Sequence, residues 1–133
     1  MEKEQKGQKI GLSNAEWRIM DMLWDEHPRT IAELVESFQG ITNWDRHVII
    51  MMLKRMEGKK AVSYEVIGRT KHYFPIVDKN QAVLQETEDF LGRVYKGSLG
   101  LMLTTMVKQE KISREELEEL RRILSEGESG GMD

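Results

Sequence analysis

The chain has 133 residues, 32% charged and 39% hydrophobic, with no cysteine and a formal net charge of −3. That length suits one compact unit plus a small appendage, not a large enzyme with a separate substrate domain, and without cysteine there are no disulfides, thiolate metal sites or cysteine nucleophiles. The opening MEKEQKGQKIG mixes charges without an apolar run, and nothing approaches the roughly 20 apolar residues of a membrane span, so a cytoplasmic protein without membrane insertion is expected.

The charge is unevenly spread. Residues 43–72 carry seven Lys/Arg against three Asp/Glu, a surplus of four positive charges, while both flanking stretches are net acidic. Residues 1–11 are polar and read as a flexible N-terminal arm. The first helix opens on a capping box, Ser13 with Glu16, with Leu12 and Trp17 at the staple positions. Ile19, Met20, Leu23 and Trp24 form its apolar stripe, and Pro28 follows its end. A second box, Thr30 with Glu33, opens a short helix carrying Ile31, Leu34, Val35 and Phe38, which stops at Gly40.

The third helix is predicted from Asp45, as N-cap, to about Gly58. Ile49, Met52, Leu53 and Met56 recur at i, i+3, i+4, i+7 as its core face. A turn of about 100° per residue places His47, Met51, Lys54 and Gly58 on the opposite side. Next, Val62, Tyr64 and Val66 alternate with Ala61, Ser63 and Glu65, Gly68-Arg69 marks a turn, and Lys71–Phe74 return to Pro75, which is a β-hairpin pattern. Three helical stretches follow. The first is capped by Asp78 and carries Val83, Phe90, Leu91 and Val94. The second is capped by Ser98 and is apolar on more than one face. The third opens on a third box, Ser113 with Glu116, and continues through Leu117, Leu120 and Leu124.

The expected fold is therefore mainly α with a small β-hairpin. A winged helix-turn-helix DNA-binding domain spans 12–76, a three-helix C-terminal dimerisation domain spans 77–125, and the tail frays over 126–133. Fewer than 60 residues in three helices cannot bury so much apolar surface alone, and a second copy is the simplest cover. The expected homodimer interface is Phe90, Leu91, Val94, Leu99, Met102, Leu103, Met106, Leu117, Leu120 and Leu124.

A recognition helix buries one side and presents reaching side chains on the other, to a major groove. The residues expected at a double-stranded DNA operator are Trp44, Arg46, His47, Met51, Lys54, Arg55, Arg69 and Lys71. Cations on phosphates supply affinity that falls with salt. His47 can donate to a base edge and Met51 can pack on a thymine methyl. Each position has a plainer reading. Trp44 can be a packing residue, and Lys59 and Lys60 can be solvated charges. Arg55 lies close enough to the core stripe to pair with an acid on the first helix. Val48, Ile50 and Met51 also suit a protein-interaction module that has lost DNA reading. His27, His47 and His72 lack ligand spacing, and no nucleophile triad or phosphate loop stands out. No metal, no cofactor and no enzyme activity are expected.

Four segments together resemble the penicillinase-repressor family of the BlaI/MecI/CopY type: LSNAEWRIMDMLW in the first helix, NWDRHVIIMMLKRM in the third, GRTKHYFP in the hairpin and FLGRVYKGSLGLML in the tail. The resemblance runs from about Leu12 to Leu124. It implies a homodimeric repressor on a palindromic operator, released when a membrane sensor protease system responding to β-lactams triggers cleavage in the C-terminal domain. The family cleaves an Asn-Phe pair, and the matching position here is Thr105-Met106. The family's recognition helix carries threonines where this chain has Val48 and Met51, and a lysine-type residue where it has His47, which implies a different operator or weaker binding. The copper-responsive branch uses a cysteine cluster that this chain lacks.

Overall fold

The computed structural model describes residues 10–131. The expected arm over residues 1–9 and the last two tail residues lie outside the described residues. In chain order the elements are α1 (Asn14–Asp25), β1 (Arg29–Thr30), α2 (Ile31–Phe38), α3 (Arg46–Gly58), β2 (Val62–Ile67), β3 (Thr70–Pro75), α4 (Lys79–Tyr95), α5 (Leu99–Lys108) and α6 (Arg114–Gly131). The chain divides into two compact units between Gln85 and Glu86, inside α4.

The helix starts follow the capping chemistry. The Ser13 hydroxyl accepts from the Glu16 amide at 3.1 Å while the Glu16 carboxylate accepts from the Ser13 amide at 3.0 Å. The same reciprocal pairs join Thr30 with Glu33 and Ser113 with Glu116. Each box satisfies two amides that a helix start otherwise leaves without partners. The carboxylates of Asp45 and Asp78 and the hydroxyl of Ser98 accept from Val48, Gln81 and Leu101 at α3, α4 and α5. Helix ends are less regular than the glycines suggest. Gly58 lies inside the last turn of α3, and the residue that takes the left-handed conformation is Lys60, at φ 63°. At the far end α6 continues to Gly131, past residue 126 where fraying is expected from the sequence.

The N-terminal unit closes around one core. Ile19, Met20 and Leu23 from α1, Leu34 and Phe38 from α2, and Ile49, Met52, Leu53 and Met56 from α3 meet Ala61, Val62 and Tyr73 from the hairpin. Burying each large apolar side chain stabilises the fold by about 1.5–3 kcal/mol. The whole expected core face of α3 is buried. The sheet is antiparallel in the order β1-β3-β2, with Tyr64 opposite Tyr73 and Ile67 opposite Thr70.

The short strand β1 has no counterpart among the sequence expectations. It pairs Arg29 with Tyr73 and Thr30 with His72. Arg29 secures it, donating to the Glu26 carbonyl at 2.8 Å and the Ser37 hydroxyl at 3.0 Å. Trp24 closes the base of the unit through its indole N–H to the Val77 carbonyl, at 2.9 Å.

Candidate nucleic-acid interface

Because α3 turns its apolar stripe fully inward, most of its other residues stand outward. Arg46, His47, Val48, Met51, Lys54, Arg55 and Gly58 are exposed, with Met51 at 46% and Val48 at 37%. The hairpin β2–β3 supplies the wing. Its tip, from Glu65 through Lys71, is exposed and carries Arg69 and Lys71. Lys71 lies with its ammonium 4.5 Å from the centre of the Tyr64 ring, a cation–π contact that holds the charge in place without neutralising it. At the root of the wing Tyr64 and Tyr73 pack at 5.4 Å between ring centres. Burial first, and then the Glu57 carboxylate to which its hydroxyl bonds, push the Tyr73 phenol up to about 12. That bond ties the wing to α3.

Two residues expected at the interface also have partners inside the protein. Trp44 is half-buried against Phe38, with ring centres 4.8 Å apart, and the Arg18 guanidinium lies 5.4 Å from its ring centre. It is a packing residue, the plainer of its two readings. Arg55 donates from Nε to Glu16 on α1 at 3.3 Å, which is the acidic pairing the sequence also allowed. Lys59 is not a solvated charge. Its Nζ donates to Glu16 Oε1 and to the Gly11 carbonyl, both at 2.5 Å. Residues 10 and 11 are thereby held, and Ile10 also packs on the core.

Glu16 itself is only 1% exposed. Burial, the largest single influence, pushes its pKa up. The Lys59 hydrogen bond, the Ser13 amide, the Lys59 charge and the Arg55 hydrogen bond together outweigh it, so the carboxyl is held below the usual range. A signal for this role existed in the sequence. Glu16, Ile19, Met20 and Leu23 stand at i, i+3, i+4, i+7, so the capping-box acid lies on the core stripe and needs buried partners. His27 has a local role: its Nδ1 lies 2.8 Å from the Leu23 carbonyl, and since a carbonyl only accepts, that nitrogen carries the proton.

In the C-terminal unit the expected interface residues form an open apolar surface. Phe90, Val94, Leu99, Leu117 and Leu124 are exposed, and Leu91, Met102, Leu103, Met106 and Leu120 are half-buried. No described residue of α4 or α5 is buried. Thr105 and Met106 lie within α5, with the Thr105 hydroxyl donating to the Leu101 carbonyl at 2.9 Å. Among the described residues no helix is long and apolar enough to cross a membrane.

The sequence model of the penicillinase repressor family matches residues 12–126, most of the chain. The chain belongs to the penicillinase repressor family. Its members are repressors, not enzymes. This member is 29% identical over 115 residues to the penicillinase repressor of Bacillus licheniformis, an alignment covering 86% of this chain and 90% of that protein. It is 25% identical over 114 residues to the methicillin resistance regulatory protein MecI of Staphylococcus aureus (strain N315), covering 86% of this chain and 93% of the relative. The solution structure of the DNA binding domain of the repressor BlaI is similar, with a TM-score of 0.51 at 24% identity, covering 56% of this chain and 90% of that domain. That likeness shows the winged-helix fold of this family member.

Proposed function

We propose that this chain represses transcription in the cytoplasm as a homodimer bound to a pseudo-palindromic operator, each subunit placing α3 in a major groove. The observation that carries the proposal is the outward face of α3. With its core side fully buried, Arg46, His47, Met51 and Lys54 stand exposed on the element next to a wing that carries Arg69 and Lys71. The excess positive charge of the chain is concentrated in this stretch, which suits a polyanion despite a net charge of −3. Arg46, Lys54, Arg69 and Lys71 are assigned to phosphates, and His47 and Met51 to base edges.

The homodimer is supported by the apolar surface of the C-terminal unit, whose helices present Phe90, Val94, Leu99, Leu117 and Leu124 to solvent in a single copy. Two recognition helices related by a two-fold axis read half-sites about one helical turn apart, roughly 34 Å. Release by a sensor protease, as the family resemblance implies, would require the Thr105-Met106 bond to leave the α5 helix, breaking the Thr105–Leu101 hydrogen bond.

The test is a mobility-shift assay on a pseudo-palindromic duplex library over a range of salt concentrations. Tight binding to a subset of sequences, weakening steeply with salt, is expected. Replacing Lys54 or Arg69 by Ala should weaken binding to all sequences alike and lower the salt exponent by about 0.9 for each phosphate left unneutralised. A folded protein that shifts no duplex at low salt would contradict the proposal and select a protein-interaction module presenting Val48 and Met51.

A further inference from the structure

We propose that Glu16 is a positioning residue for DNA reading: from inside the fold it fixes the Arg55 guanidinium by Nε, so that the arginine's terminal fork is presented at the edge of the α3 reading face. The inference rests on the proposed DNA-binding role of α3 and adds a residue from a different helix to it.

The geometry assigns different roles to the two cations on Glu16. Lys59 is the nearer, at 2.5 Å to Oε1, and its side chain is two-thirds covered. It supplies the charge that keeps the buried carboxylate ionised, and it leaves one net positive charge on the cluster for Arg55. Arg55 uses Nε toward Oε2, at 3.3 Å, and its side chain is 58% exposed. An arginine held by Nε still has its end-on pair of terminal nitrogens, the edge that makes bidentate bonds to guanine O6 and N7. Arg55 is seven residues from Val48, two turns along the helix with an offset of about 20°, and one turn from Met51. It therefore borders the outward face on one side, while on the other its Nε reaches the buried Glu16.

Glu16 is itself rigidly placed. Its Oε1 accepts from the Ser13 amide, and its helix packs Ile19, Met20 and Leu23 into the core. A flexible arginine tied to a fixed carboxylate loses rotamer freedom before DNA arrives, so less is lost on binding. A lysine at 55 cannot reproduce this, because one ammonium cannot present a planar fork while its inner nitrogen stays bonded behind.

A double-mutant cycle on DNA affinity tests the inference. The probes are the tightest duplex selected from the pseudo-palindromic library and a scrambled duplex of equal length. The proteins are wild type, Glu16→Gln, Arg55→Ala and the double variant. Glu16→Gln should weaken the selected duplex about tenfold in the wild-type background and less than about twofold in the Arg55→Ala background, as expected for two residues acting as one unit. Its affinity for the scrambled duplex should hold or rise, since a negative charge has been removed. Equal losses in both backgrounds, or no loss in either, would overturn the inference and leave Glu16 a fold-stabilising acid. If circular dichroism shows Glu16→Gln unfolded, Arg55→Lys decides: affinity near that of Arg55→Ala supports the inference, and wild-type affinity overturns it. Failure of the wild-type protein to bind any duplex would instead remove the DNA reading on which the inference stands.

Discussion

In the N-terminal unit, Ile49, Met52, Leu53 and Met56 recur along α3 at helical spacing, and all four are buried. In the C-terminal unit, Leu117, Leu120 and Leu124 recur along α6 at the same kind of spacing, and none is. The local chemistry is alike: both helices open on a capping acid or box and both are amphipathic. What differs is the number of elements that converge. The first unit brings two further helices and a three-stranded sheet onto its stripe. The second has three helices and no sheet among the described residues, and no described residue of its first two helices is buried. Periodicity specifies that a face must be covered; topology decides whether the same chain can cover it. On the proposed reading the second unit is completed by its own copy, and the first unit by DNA on its polar side only.

Three perturbations break or sharpen that contrast. The largest effect is expected in the open unit. Leu120→Asp combined with Leu124→Asp should leave the N-terminal unit folded and reduce the mass by sedimentation from dimer to monomer. Selected-duplex affinity should then fall by about 10²–10⁴, the gain that linking two binding modules provides. An unchanged mass would show that another surface covers these helices. Next, Leu53→Ala in the closed core should cost about 3 kcal/mol in chemical denaturation. Leu124→Ala, at a side chain that is 63% exposed, should cost much less in the dilute monomer. Equal costs would erase the distinction between the two units.

The smallest of the three concerns Glu16. Lys59→Met leaves a buried carboxylate with Arg55 alone and should destabilise the fold by about 2 kcal/mol, below the usual cost of breaking a buried pair because Lys59 is partly exposed. The pH dependence has a definite sign. Glu16 is held below its ordinary value of 4.5 in the folded state, so its contribution is present above that value and is lost as pH falls through the depressed one. Glu16→Gln should therefore be less stable than wild type at neutral pH, with the gap narrowing in acid. A gap that stays constant down to acid unfolding would show that the carboxylate's charge does not matter to the fold.

Much of the fold is legible from residue order alone. The three capping boxes, the inward face of α3, the N-cap Asp45 and the hairpin turn at Gly68 each depend on residues within a few positions of one another, and they stand where the patterns put them. The misses share one physical cause, a partner far away along the chain. Strand β1 has only two residues and exists because Tyr73 and His72 lie beside it, more than 40 positions later. Lys59 reads as a surface charge until Glu16, 43 positions earlier, arrives against it. At the candidate interface, helical periodicity marks His47, Met51 and Lys54 as outward, the hairpin pattern places Arg69 and Lys71 at or beside its turn, and all five are exposed, as is Arg46 on the flank of the helix. Periodicity alone does not separate Arg55, which faces both ways.

Sedimentation of the purified chain with the selected duplex, following stoichiometry as salt is raised, tests the dimeric DNA-bound state most directly. Two chains are predicted on each full site, with dissociation governed by a steep salt exponent that falls when Lys54 or Arg69 is replaced by Ala. A complex with one chain per full site, or one whose stability is indifferent to salt, would contradict that prediction.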